Sequence, residues 1–172
     1  MGSEARKQVA LDSCVVIDIL QRDSAKNPWI MHLLRDADAG KVRLQASALA
    51  ACEVTHVAGR PDARKGIIDF FRRPDIDVFP VDIVVADYVR EVIDLSEGLK
   101  PADAIHGASA ALHGADVLLT RDAGGGRQRK SVLSLDGRPL PQGRDLRIMT
   151  PQGFHDMMAR AEDKPLINGA DE

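Results

Sequence analysis

The chain has 172 residues, of which 44% are hydrophobic and 28% are charged. This length and apolar content fit one folded domain with its own core, and they argue against intrinsic disorder and a fibrous fold. Lys and Arg number 23 against 26 Asp and Glu, a net charge of -3 that excludes a generally basic nucleic-acid binder. The two cysteines lie in apolar runs, which favours a reducing cytoplasm over a disulfide scaffold. No apolar stretch is long enough to span a membrane.

The first half of the chain alternates short apolar runs with segments of helical periodicity. The opening run stops at Asp12, Gly40 is a plausible helix C-cap, and Ser47 is placed to cap the next helix. The predicted elements are strands at 9–11 and 41–46 and helices at 15–20, 28–40, 47–57 and 61–74.

The second half continues the alternation. The predicted elements are strands at 76–81, 115–120 and 146–149 and helices at 84–95, at 101–112 and from 150 onward. This order predicts a three-layer α/β/α domain around a mainly parallel central sheet. We expect one domain over 1–172, with a core at 9–160 and a mobile tail after 163.

Residues 123–143 lose all periodicity and are rich in Gly and Pro, which predicts a long inserted loop, with a short hairpin expected near 132–135. The segment 127–147 is basic, because it carries six Lys or Arg against two Asp, a local charge of +4 in a chain whose total is -3.

Four carboxylates occupy related places in this layout. Asp12 and Asp122 directly follow strands, Glu53 lies in the helix after the second strand, and Asp103 lies in the first turn of a helix. Ligands of an open parallel sheet bind in the crevice outside the carboxyl ends of its strands. We therefore expect these side chains to form one acidic cluster, which is unstable unless cations compensate it.

Hard divalent ions are the natural compensators, since Mg²⁺ and Mn²⁺ prefer carboxylate oxygen and keep open positions for phosphate. A pair of such ions activates water and stabilises the leaving oxygen of a phosphodiester. Each residue taken alone also has a structural interpretation. Asp12 can cap a helix, Asp103 can favour a helix start and Asp122 can belong to a turn, while Glu53 can face solvent.

Other signals are weaker. His106 lies three residues after Asp103, and its spacing suits a histidine that contacts the metal ligands or lies in the core better than a metal ligand. The cysteines form no zinc motif, and neither an esterase elbow nor a phosphate-binding loop is present. Aspartyl phosphatases and phospho-receiver modules need further acidic or basic residues that are absent as sets.

Five short motifs, in this order, resemble a PIN domain, the fold of VapC-type toxins of prokaryotic toxin–antitoxin pairs. The resemblance covers residues 9 to 160. Its motifs are VALDSCVVID at 9–18, Ser47 with Glu53, LKPADAIH at 99–106, LLTRD at 118–122 and RIMTP at 147–151.

The resemblance implies a Mg²⁺- or Mn²⁺-dependent endoribonuclease, most simply the toxin of such a pair. It also implies a homodimer and a small antitoxin that binds DNA. The residues it implies as metal ligands are Asp12, Glu53, Asp103 and Asp122, with Ser13 and Thr120 as hydroxyl groups that assist.

Two other functions stay open. One is a PIN-like module that binds RNA or protein with weak or lost catalysis, and the other is an RNA-processing nuclease that is not a toxin. The basic insertion likewise has two interpretations: it contacts RNA phosphates, or it is a solvated loop without a ligand.

Overall fold

The computed structural model describes residues 6–21, 27–124 and 130–162. The tail expected to be mobile and the basic residues Arg127 and Arg129 of the insertion lie outside these described residues. Within them, no helix is long and apolar enough to cross a bilayer.

The described residues form one five-stranded sheet. Its strands are β1 (Lys7–Leu11), β2 (Val42–Ser47), β3 (Ile76–Phe79), β4 (Val117–Leu119) and β5 (Arg147–Met149). Every neighbouring pair is parallel, in the order β3-β2-β1-β4-β5. The predicted mainly parallel sheet is confirmed, and in the described part of the chain it is wholly parallel.

Helices cover both faces of the sheet. They are α1 (Ser13–Gln21), α2 (Pro28–Asp38), α3 (Ala48–Glu53), α4 (Ala63–Phe71), α5 (Ile83–Leu95), α6 (Pro101–Leu112) and α7 (Pro151–Glu162). Val9 and Leu11 of β1 pack with α1, α2, α4 and α7, whereas Ala10 between them packs with α5 and α6. Because successive side chains of a strand point to opposite faces, this alternation builds the expected three layers.

The observed element boundaries differ from the predicted ones by up to four residues, and two of these differences have a local cause. Helix α3 ends at Glu53, four residues early, and Val54 follows it with non-helical backbone angles. The β-branched pair Val54 and Thr55 has low helix propensity. Strand β3 ends at Phe79, because Pro80 has no N–H to donate to the sheet.

The described part of the insertion packs against the domain. Val132–Leu135 is a short 3-10 helix, so the expected hairpin is wrong, and Val132 and Leu135 are buried in the core with α5 and α6. A methyl group on Gly107 would lie 3.2 Å from Val132 Cγ2, so the absence of a side chain on α6 permits this close approach. Tyr88 Oη donates to the Pro141 carbonyl at 2.9 Å.

Two basic side chains of the segment 127–147 are engaged within the fold. Arg138 donates to the Leu95 carbonyl at 2.5 Å, and Arg147 Nε pairs with Asp136 at 3.2 Å. The described part of the insertion is therefore held by contacts with the domain, while residues 136–139 and 142–145 are exposed. Its contact with RNA stays a prediction.

Candidate metal centre

The candidate site lies at the carboxyl edge of the sheet, where three parallel strands end side by side. Asp12 follows β1, Thr120 follows β4, and Ser47 at the end of β2 caps α3 by accepting a hydrogen bond from the Ala50 amide. Helix α3 then carries Glu53 to the same edge. Parallel connections bring residues distant in the chain to one crevice, as expected for this sheet type.

Asp12 is buried and faces the end of β4. Its Oδ2 accepts hydrogen bonds from Thr120 Oγ1 at 2.6 Å and from Cys14 Sγ at 3.4 Å. Thr120 is fully buried, and its hydroxyl oxygen also accepts from the Asp122 amide at 3.0 Å. Thr120 therefore joins the two acidic segments that follow β1 and β4.

His106 occupies the centre of the site. Its Nε2 lies 2.9 Å from Glu53 Oε2 and 3.6 Å from Asp12 Oδ1, and its Nδ1 lies 3.0 Å from Ser47 Oγ. The Ser13 hydroxyl donates to Glu53 and lies 3.3 Å from His106 Nε2. One ligand atom each of Asp12, Glu53 and His106 lies within 4.8 Å of the others.

His106 was expected to lie in the core or beside the metal ligands, and the structure places it buried next to Glu53 and Asp12. Three residues after Asp103 on α6, it lies on the face that also turns toward the acidic residues, and this spacing was the only signal available.

The charges of the site shift its pKa values in opposite directions. Burial alone would lower the pKa of His106, but the hydrogen bond to Glu53 and the charges of Asp12, Glu53 and Asp103 outweigh burial and raise it. The hydrogen bond to His106 in turn lowers the pKa of Glu53, against the effect of burial, and Ser13 adds to this lowering. The protonated form of His106 balances part of the acidic charge.

Asp103 is the acid of this group that has a buried oxygen without a hydrogen-bond partner among the described residues. Its Oδ2 is buried, and no donor among the described residues reaches it. Burial, followed by the charges of Asp12 and Asp122, raises the pKa of Asp103. Asp122 Oδ1 accepts from the Gly124 amide at 2.8 Å, so Asp122 has the expected turn contact and also adds negative charge to the site.

These residues fit a divalent cation. A hard cation would satisfy the buried oxygen of Asp103 and offset the acids that raise its pKa. Both Mg²⁺ and Mn²⁺ suit the carboxylates. The cluster of Asp12, Glu53 and His106 is therefore a candidate site for a divalent cation.

The reactivity of Cys14 tests how tightly the carboxyl edge of the sheet is packed. Burial, followed by the charge of Asp12, raises the pKa of Cys14 to about 11, whereas Cys52 is exposed. At pH 8 only about one thiol in a thousand with such a pKa is ionised. We expect a thiol reagent to modify Cys52 at least about 100-fold faster than Cys14 in the folded protein.

Cys52→Ser should remove the fast phase of the reaction, and unfolding of wild type in denaturant should make its two thiols equally reactive. A fast reaction of Cys14 in the native Cys52→Ser variant would contradict the packing described for this edge.

The sequence matches the model of the PIN domain over residues 9–130, and no protein of curated function matches it significantly. A toxin–antitoxin complex from Klebsiella pneumoniae is similar in structure, with a TM-score of 0.54 and 19% identity over 83% of this chain and 97% of that one. DNA-bound VapBC from Salmonella typhimurium gives 0.52 and 15% over 83% and 98%.

VapBC2 from Rickettsia felis, bound to a DNA fragment from its promoter, gives a TM-score of 0.51 and 14% identity over 82% of this chain and 98% of that one. At these identities the structural similarity shows a shared fold. The family match extends over more than half of the chain, from β1 to the start of the insertion. The chain therefore belongs to the PIN domain family.

Proposed function

We propose that this chain is a one-domain cytoplasmic endoribonuclease that depends on Mg²⁺ or Mn²⁺. The observation that carries the proposal is the cluster at the carboxyl edge of the sheet, where ligand atoms of Asp12, Glu53 and His106 lie within 4.8 Å of one another beside the unpartnered oxygen of Asp103. Such a site on a PIN domain suits metal-assisted cleavage of a phosphodiester.

The chain's own residues have distinct roles in this proposal. Asp12, Glu53, Asp103 and Asp122 would hold the ion, and its chemistry would be to ionise a water molecule and offset charge on the phosphate. Thr120 orients Asp12 and the Asp122 segment through the hydrogen bonds of its hydroxyl. Ser13 and His106 orient Glu53.

We further propose that the chain is the toxin of a toxin–antitoxin pair. The similar structures are described as toxin–antitoxin complexes, two of them bound to DNA. By analogy the partner of this chain is a small antitoxin that binds DNA, and the chain itself forms a homodimer. Expression with and without the neighbouring reading frame tests the first point, and light scattering of the purified protein tests the second.

The nuclease proposal is tested by incubating the purified protein with structured RNAs in Mg²⁺, Mn²⁺ or EDTA. Asp12→Asn removes a metal-binding carboxylate, and Asp87→Asn is the matched control, because Asp87 lies exposed on α5 and pairs with Arg90. We expect wild type and Asp87→Asn to cleave RNA in either metal and not in EDTA. Asp12→Asn should be at least about 100-fold slower, the usual effect of removing one electrostatic contact to the reacting group.

Equal cleavage by wild type and Asp12→Asn would identify a contaminant. Binding of RNA without cleavage in any metal would instead support a PIN-like binding module. Cleavage without arrest of growth on expression would support an RNA-processing nuclease over a toxin.

A further inference from the structure

A buried acid on α1 lies next to the acidic site without belonging to it. Asp18 follows Cys14 by one helical turn, a rise of about 6 Å along α1, and its side chain is only 6% exposed. It accepts a hydrogen bond from Asn27 Nδ2 at 2.7 Å and forms an ion pair with Nε of Arg121. A buried carboxylate requires such partners, because burying an unpaired charge is costly.

Arg121 connects this acid to the metal-binding residues. It stands between Thr120 and Asp122, and its amide donates to Cys14 Sγ at 3.2 Å. Its side chain is 48% exposed, in contrast to its buried partner. Among the described residues, the side chain of Arg121 pairs through Nε alone, so its terminal nitrogens can meet a ligand from solvent.

The arrangement suits an anion that lies along the rim of the site. An acidic pocket repels a polyanion, and a fixed guanidinium beside it offsets that repulsion. Arg is well suited to this role, since its planar fork of donors matches two phosphate oxygens at once. An exposed ion pair would hold the Arg121 guanidinium weakly. Asp18 is buried and hydrogen-bonded to Asn27, so it holds the guanidinium in one orientation.

We propose that Arg121 binds an RNA phosphate next to the scissile one, and that Asp18 is a positioning residue that aims its guanidinium. This inference rests on the proposed ribonuclease function and extends it to substrate binding. The alternative is that the Asp18–Arg121 pair only fixes the end of β4 against α1.

Binding of a single-stranded RNA oligonucleotide separates these possibilities. Affinity is measured in Ca²⁺ at several salt concentrations, with gels to show that the RNA stays intact. Arg121→Gln should weaken binding about tenfold, the effect of losing a charged hydrogen bond, and reduce the slope of log affinity against log salt by about 0.7. Arg90→Gln is the control, because Arg90 also pairs with an Asp but lies exposed on α5.

The direction in which Asp18→Asn changes RNA affinity tests the positioning role of Asp18. The substitution removes a negative charge, so charge alone predicts tighter RNA binding. If Asp18 aims Arg121, binding should weaken instead, with a higher KM for cleavage and little change in kcat. Arg121→Lys keeps the charge and the ion pair but loses the fork, so it should fall between wild type and Arg121→Gln.

Unchanged affinity and salt slope in Arg121→Gln and Arg121→Lys would overturn the phosphate contact, and tighter binding by Asp18→Asn would overturn the positioning role. Thermal unfolding of each variant shows whether the fold is kept. Where Arg121→Gln does not fold, the RNA affinity of Arg121→Lys decides the role of Arg121. Absence of cleavage by wild type would contradict the proposed ribonuclease, whereas the binding series would still decide the role of Arg121.

Discussion

Asp103→Asn is expected to lower the rate of RNA cleavage by at least about 100-fold and, at the same time, to stabilise the metal-free protein. The loss of activity follows because Asn is a neutral and weaker ligand for a hard cation. The gain in stability follows because the buried Oδ2 of Asp103 has no donor among the described residues and lies near the charges of Asp12 and Asp122.

The gain depends on pH in a defined direction. Because the pKa of Asp103 is raised in the folded protein, the Asp103 carboxylate binds its proton more tightly in folded wild type than in the unfolded chain. Protonation of Asp103 therefore stabilises the fold below the usual aspartate pKa of about 3.9. This stabilisation is lost as pH rises through the raised pKa of Asp103. Asp103→Asn should thus be more stable than wild type in EDTA at neutral pH and similar to it in acid.

Thermal unfolding in EDTA, with and without added Mn²⁺, measures both effects. Mn²⁺ should raise the Tm of wild type and of Asp87→Asn more than that of Asp103→Asn. An Asp103→Asn variant that cleaves RNA at the wild-type rate, or that is less stable than wild type in EDTA at neutral pH, would contradict the role given to this carboxylate.

Of the variants described, His106→Ala is expected to lower the free energy of unfolding most. It removes the group that contacts Ser47, Glu53 and Asp12. Breaking a fully buried ion pair costs about 3–5 kcal/mol, but the Glu53 side chain is 35% exposed and solvent screens its charge. We therefore expect a loss of about 2 kcal/mol in EDTA, together with slower cleavage because Glu53 is no longer held in place.

This loss should be larger in mild acid than in base. The pKa of His106 is raised, so its stabilising charge is fully present below the usual histidine pKa and disappears as pH rises through the raised value. Urea unfolding of wild type and His106→Ala at about pH 6 and pH 9 measures the difference. His56→Ala is the matched control, because His56 is exposed; an equal loss in both variants, or a loss that grows with pH, would argue against an imidazolium in the site.

The order of the elements and the edge at which the acids gather were predictable from the sequence. Strand and helix periodicities are local, and Pro28, Pro101 and Gly40 mark helix boundaries through their own backbone preferences. Once β1, β2 and β4 are read as parallel strands, their carboxyl ends must meet, which places Asp12 beside Asp122 although 110 positions separate them.

Contacts between side chains depended on the tertiary structure. The sequence shows that His106 follows Asp103 by three residues, but not that its ring lies between Glu53 and Asp12. It likewise offers no sign that Asp18 is buried against Arg121, or that Val132 closes onto Gly107. Periodicity reports only which face of an element is apolar, whereas the partner of a polar group is set by the angles and distances at which whole helices pack on the sheet.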